Sequence, residues 1–352
     1  MSIYSKLFVS LINFKPSMKY LYNILLLFVL TGVPGLLRAQ QDSLDAEFPK
    51  GSPIIRLFAN VYTGLTPADR SRAFEMRRAY IGYRYRFDPH FSTELKLDIG
   101  SPDDISEFSR IRRYAYFKTA ALYWDRGKWT LKGGILDTEH YGIQEKYWKH
   151  RYIYKSMQDE HDFGPRADLG ATVIYRMNPR LSLDASLMNG EGYRNLQRDE
   201  NFKSSLGISC YPAPGLLLRG YFDVLHQGVW QTTLSTFAGY RAERLTAGAE
   251  YNRKGNRDFV GDHNQTGLSA YLSVDLSERF EVFGRYDRLS SNTPEELSRP
   301  WNLHDDGSAL IAGIQFRPIG QVKLALDYQD WVPYAANLGN RRYLFLNLEV
   351  LL

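Results

Sequence analysis

Beyond residue 40 the chain alternates apolar and polar positions in segments of about ten residues, a strand-like length, each closed by turn-forming residues. In FSTELKLDI, Phe91, Thr93, Leu95, Leu97 and Ile99 share one face, and Ser92, Glu94, Lys96 and Asp98 share the other. A period of two sends successive side chains to opposite faces of a strand, so this segment separates an apolar surface from a charged one. RLSLDASLM repeats the pattern, with Leu181, Leu183, Ala185 and Leu187 against Ser182, Asp184, Ser186 and Met188. QVKLALDYQ repeats it again, with Val322, Leu324, Leu326 and Tyr328 against Lys323, Ala325, Asp327 and Gln329.

The alternation predicts sixteen strands, at 53–63, 72–87, 91–99, 111–125, 128–136, 168–177, 180–189, 203–211, 215–225, 230–241, 244–253, 266–276, 279–288, 308–318, 321–329 and 342–352. Tight turns such as Asp88-Pro89-His90, Asp125-Arg126-Gly127 and Asn178-Pro179 alternate with longer polar loops at 64–71, 100–110, 137–167, 190–202, 254–265, 289–307 and 330–341. The connection at 226–229 is the one short member of the second set. An even number of strands, with short turns at one end and long loops at the other, is the signature of an outer-membrane β-barrel. A soluble sandwich would bury its apolar faces, which fits poorly with so many strands that oppose aliphatic and charged faces. Aromatic clusters at strand ends (Tyr83, Tyr85 and Phe87; Tyr123 and Trp124; Tyr328 and Trp331) suit girdles at the two membrane interfaces. The expected fold class is therefore all-β: a transmembrane antiparallel barrel of about sixteen strands, in the bacterial outer membrane and in contact with its lipid.

Composition and charge refine this picture. Residues 1–39 contain Lys6, Lys15, Lys19 and Arg38, no acid, and the apolar run 21–37, interrupted by Gly32, Pro34 and Gly35. The expectation is a cleaved signal peptide over 1–39, starting at Met1 or Met18, followed by a barrel over 40–352. Taking those four bases from the net charge of +5 leaves +1, which argues against nucleic acid as a partner. A single cysteine, Cys210, excludes an intrachain disulfide framework or a cysteine metal site.

If apolar faces meet lipid, their opposites line the lumen. On 72–87, Ala79, Ile81, Tyr83, Tyr85 and Phe87 face outward and Arg78, Arg84 and Arg86 inward. On 111–125, Ile111, Ala115, Phe117, Ala121 and Tyr123 face outward, leaving Arg112, Tyr114, Tyr116 and Lys118 inside; Lys128 and Lys132 follow on the next strand. This basic stripe, relieved by Glu94 and Asp98, reads equally as a wall that concentrates anions or as arginines paired with the acids of an inward-folded loop. The loop 137–167 is the longest and the third on its side. Tyr141, Tyr147, Trp148, Tyr152, Tyr154 and Phe163 make it too aromatic for a solvated loop, so it is expected to pack inside the barrel and narrow the pore. Its charges nearly cancel: Lys146, Lys149, Arg151, Lys155 and Arg166 oppose acids that include Glu145 and Asp159. Small inward residues such as Gly170, Thr172, Ser209, Thr233, Ser235 and Ser273 leave room for water.

Four stretches, in order, carry a resemblance. Phe74-Glu75-Met76-Arg77-Arg78-Ala79-Tyr80, Leu131-Lys132-Gly133-Gly134-Ile135, Arg166-Ala167-Asp168-Leu169-Gly170 and Leu187-Met188-Asn189-Gly190-Glu191-Gly192 resemble the porin O and P family of phosphate-selective outer-membrane porins. The resemblance implies a sixteen-stranded homotrimeric channel with its third loop turned inward. Asp137-Thr138-Glu139-His140-Tyr141-Gly142 departs from the Thr-Pro-Phe-Gly-like residues usual there, and the charge-balanced loop departs from a phosphate filter.

No nucleophile, dinucleotide or phosphate-loop motif is present, and none of the seven histidines has a diagnostic metal-ligand spacing, so neither an enzyme nor a cofactor is expected. The function expected is passive diffusion of small hydrophilic solutes with a mild preference for anions, phosphate being the candidate that the resemblance adds. The alternative is a barrel with a plugged lumen acting as an outer-membrane enzyme, adhesin or structural protein.

Overall fold

In the computed structural model the described residues are 48–100, 115–197, 199–292, 306–334 and 338–352. The expected signal segment and Arg112 lie outside them. Sixteen antiparallel strands close on themselves. They are β1 (Lys50–Gly64), β2 (Arg72–Arg86), β3 (Phe91–Ile99), β4 (Ala115–Arg126), β5 (Trp129–Asp137), β6 (Ala167–Asn178), β7 (Leu181–Met188) and β8 (Lys203–Ala213). There follow β9 (Leu216–Gln227), β10 (Val229–Arg241), β11 (Leu245–Gly255), β12 (Gln265–Asp275), β13 (Phe280–Ser291), β14 (Gly307–Ile319), β15 (Val322–Pro333) and β16 (Arg341–Leu351). Each strand pairs with its sequence neighbours, and β1 closes the ring against β16 from Arg56↔Leu351 to Gly64↔Tyr343. Closure leaves no free sheet edge, which is what lets strands cross a bilayer with every backbone group paired.

The outer surface is apolar. Leu95, Leu122, Leu131, Leu169, Leu206, Leu234, Leu272, Leu310 and Leu326 are among many large hydrophobic side chains that stand exposed on it. At the short-turn end the belt is edged by outward rings, with Trp129 and Tyr175 4.4 Å apart and Phe280 and Phe316 4.9 Å apart. A closed barrel with such a belt belongs in the bacterial outer membrane.

Two β-bulges change which side chains face inward. Between Phe58↔Arg78 and Ala59↔Met76, Arg77 is the extra residue on β2. Between Lys96↔Thr119 and Leu97↔Phe117, Lys118 is the extra residue on β4. One added residue reverses the parity beyond it. Ala121 is consequently buried in the interior instead of facing lipid, with Tyr123 packed against it, and Leu122 takes the outward position. Trp331 is likewise no girdle residue: it faces inward and packs against the core of the third loop.

Candidate functional site

The third long loop, between β5 and β6, enters the lumen. Its base is pinned where the Thr138 amide donates to the Arg166 carbonyl at 2.8 Å. Helix α1 (Glu139–Trp148) follows and ends at Lys149, which takes a left-handed conformation (φ 59°). A short helix α2 (Met157–Glu160) comes before the return. The glycines of the two motifs at its root face each other across the ladder, Gly134↔Gly170. Gly134 has φ of 120°, and a Cβ there would collide with the Ala120 carbonyl.

Trp148, Tyr152 and Ile153 pack on inward-facing Leu217, Phe237, Tyr271, Phe283 and Ile311, so the wall opposite the loop is apolar on its inner side. Met157 and Phe163 pack with Leu289, over a bare Gly267 whose missing side chain leaves them space. Polar contacts surround these rings. Gln158 Nε2 donates to Ser235 Oγ at 2.9 Å, Tyr152 Oη to Gln315 Oε1 at 2.8 Å, Lys254 Nζ to the Asp162 carbonyl at 2.8 Å and Thr233 Oγ1 to the Phe163 carbonyl at 3.2 Å. His150 Nε2 lies 3.1 Å from Ser273 Oγ and 2.9 Å from Glu281. Thr233, Ser235 and Ser273, expected to leave room for water, thus receive the loop.

The loop's own charges are mutually engaged. Arg151 reaches Glu145 at 3.1 Å and Asp159 at 2.7 Å, Arg166 bonds Glu145, and Lys155 lies 3.7 Å from Glu160. Lys149 faces Glu281 on the wall at 3.7 Å, while Lys146 is exposed and its carbonyl accepts from Arg241. The basic stripe is similarly occupied. Arg78 lies 3.4 Å from Asp98, Arg84 donates to Glu94, Lys118 is buried 2.9 Å from Asp137, and Lys132 pairs with Glu139. Arg86 lies over the Phe48 ring. Lys128 is not on the wall at all: it occupies a two-residue turn and donates to the Met177 carbonyl at 3.1 Å.

A second inward segment escaped the sequence reading. Asp168 accepts from the amides of Leu169 and Gly190, folding the stretch after β7 over the mouth. Tyr193 from that stretch then donates to Asp98 at 2.7 Å and covers Lys118, whose ammonium lies 4.5 Å from the ring centre. The motif residues Asp168 and Gly190 are the available signal for it.

Across from these, the loop and the wall of β1, β2 and β14–β16 enclose an open cavity of about 680 Å³. Its lining includes six bases, Arg77, Arg78, Arg151, Lys155, Arg257 and Arg341, and four acids, Glu75, Glu160, Asp162 and Asp330. Sequence reasoning had named only Arg78, Arg151 and Lys155 of these bases. Arg77 was hidden because it is the bulged residue.

Two groups make the docking of the loop sensitive to acid. His140 is fully buried and stacked on Tyr221 at 4.7 Å. Arg219 Nε donates to its Nδ1 at 3.3 Å, and its Nε2 lies beside the side-chain amide nitrogens of Gln158 and Gln144 at 2.6 and 3.2 Å. Burial, and then the Arg219 guanidinium, hold its pKa well below the ordinary value. For Asp159, burial acts to raise the pKa, but Arg151 and Arg166 outweigh it and keep the carboxyl below the usual carboxylate range. A base depressed in the folded state contributes stability above its unfolded pKa of about 6.5, and a depressed carboxyl does so above about 4. Both contributions are lost as pH falls. We predict that acidification loosens the loop in two stages, read as growing protease cleavage within 141–163, and that His140→Gln removes the first stage. Equal cleavage at pH 7 and pH 4 would count against this.

No protein-family model matches the sequence, and no curated protein matches it. Among solved structures the barrel is similar to OmpF of Salmonella typhi, with a TM-score of 0.66 and 11% identity over 86% of this chain and 98% of that one. It is also similar to the outer-membrane channel DcaP of Acinetobacter baumannii, with a TM-score of 0.64 and 7% identity over 90% of this chain and 100% of that one. A third is the anion-selective porin of Comamonas acidovorans, with a TM-score of 0.61 and 10% identity over 86% of this chain and 100% of that one. At such identities the likeness is one of fold, and the fold is that of the bacterial outer-membrane porins.

Proposed function

We propose that the protein is a passive diffusion channel of the outer membrane for small hydrophilic solutes, with a weak preference for anions and no catalytic step. The observation that carries this reading is the charged cavity left between the loop and the wall. A dry, packed lumen would serve an adhesin or a structural barrel equally well, whereas a cavity lined by charged groups provides for hydrated solutes. The excess of bases over acids biases the cavity toward anions. The bias is weak because Arg77 lies 3.3 Å from Glu75 and Arg151 is committed to Glu145 and Asp159. For the same reason phosphate is admitted as one small anion among others.

Exchanging Arg77 and Arg341 for glutamate should reverse the selectivity, because it turns a lining of six bases and four acids into one of four and six. The measurement is the reversal potential across a planar bilayer in a salt gradient. Discrete conductance steps with a potential that moves toward cation preference are expected. Stable insertion without steps would displace the channel reading in favour of a plugged barrel.

A further inference from the structure

The cavity has a chemical asymmetry that its net charge does not express. Along the inner face of β16, Arg341, Tyr343 and Phe345 follow one another at two-residue steps, about 7 Å apart. Across the ladder Tyr62 pairs with Phe345, and the three rings touch: Tyr62–Phe345 centroids lie 5.5 Å apart, Tyr62–Tyr343 5.9 Å and Tyr343–Phe345 5.8 Å. All three rings are partly exposed and line the cavity. Arg341 makes no ion pair among the described residues and lies over the Trp331 ring at 5.9 Å. Arg77 borders the same space from β2. Further down, Phe58 faces Tyr152 of the loop at 6.4 Å, so the ring-lined wall continues to the point where the loop meets it.

Ring faces attract planar, polarisable groups, and guanidiniums bind carboxylates with two parallel N–H donors. A hydrated compact anion can use only the second feature, and a neutral sugar only the first. We propose that this wall selects solutes that combine a planar ring with a carboxylate, that is, aromatic monocarboxylates, over compact anions of equal charge. The ring of such a solute lies on the Tyr62–Tyr343–Phe345 surface while its carboxylate reaches Arg341 or Arg77. The assignment rests on the diffusion-channel reading and names its solute class.

The test uses benzoate, acetate and methyl glucoside as probes on the full-length mature barrel. Single-channel current in potassium chloride should be reduced more by benzoate than by equimolar acetate or glucoside. Tyr62→Leu and Phe345→Leu, which keep apolar bulk and remove the ring, should weaken the benzoate effect by about two- to tenfold, the size of a ring-stacking contribution. Heat-modifiable electrophoretic mobility and an unchanged far-ultraviolet circular dichroism spectrum would show that these variants fold. Benzoate no stronger than acetate, or matched by glucoside, overturns the proposal. Calorimetry on the detergent-solubilised protein separates this from failure of the channel reading. Benzoate binding without conductance steps would overturn the channel and keep the selectivity, while equal heats for benzoate and acetate would overturn the selectivity itself.

Discussion

Excising residues 141–163 should raise single-channel conductance by roughly threefold, since a sixteen-stranded barrel without an inward loop encloses a wide aqueous channel. The cut is structurally conservative. The Thr138 amide already bonds the Arg166 carbonyl, and β5 and β6 stay paired up to Asp137↔Ala167, so the remaining loop residues can close as a hairpin. What is lost is the packing of Trp148, Met157 and Phe163, all fully buried, each worth about 1.5–3 kcal/mol of burial. The barrel wall retains its ladder. It would then present Leu217, Phe237, Tyr271, Phe283 and Ile311 to water inside the lumen, a surface formed to receive the loop. The excised protein should accordingly show a lower unfolding midpoint in urea together with its larger conductance. An unchanged conductance would mean that the loop is not the constriction.

The second large effect is expected at Arg219, whose side chain is completely buried on the inner face of β9. It holds Asp184 with two bonds, Nη1 to Oδ2 at 2.7 Å and Nη2 to Oδ1 at 2.9 Å, and also donates to Ser209 Oγ at 2.8 Å and to His140 of the loop. Arg219→Met leaves the Asp184 carboxylate buried without its cation and should cost about 3–5 kcal/mol. Arg219→Met combined with Asp184→Leu removes both charges and should recover most of that loss, because the desolvation cost of the pair disappears with its attraction. Urea unfolding of the two single variants and the double variant closes the cycle. Additive losses would show that the pair does not act as a unit.

The strands were legible in the sequence because the membrane and the lumen impose opposite chemistry on alternate residues. FSTELKLDI folds as Phe91–Ile99, the span that its alternation predicts. Parity failed where the chain inserts a residue. Nothing in the composition of Ala115–Arg126 marks Lys118 as a bulge, so Ala121 and Tyr123 were assigned to the wrong face. The inward course of the third loop was legible from its aromatic content, but its seat was not. Leu217, Phe237 and Ile311 read as ordinary strand residues until the loop is seen to cover them. Arg78 and Lys118 can be picked out one by one in the sequence, yet their acidic partners come from other strands, as with Arg78 and Asp98 and with Lys118 and Asp137. Local pattern cannot report contacts between residues far apart in the chain.

The loop is rooted on β5 and β6 and fastened to β10 through Ser235, to β12 through Ser273, to β13 through Glu281 and to β14 through Gln315. Mechanically it is a strut across the bore. A hollow tube of paired strands resists stretching along its ladders far better than it resists being flattened, and lateral pressure in a crowded membrane acts to flatten it. With the strut in place, squeezing the barrel compresses close-packed rings, so its bore keeps its calibre where an unbraced tube would become oval.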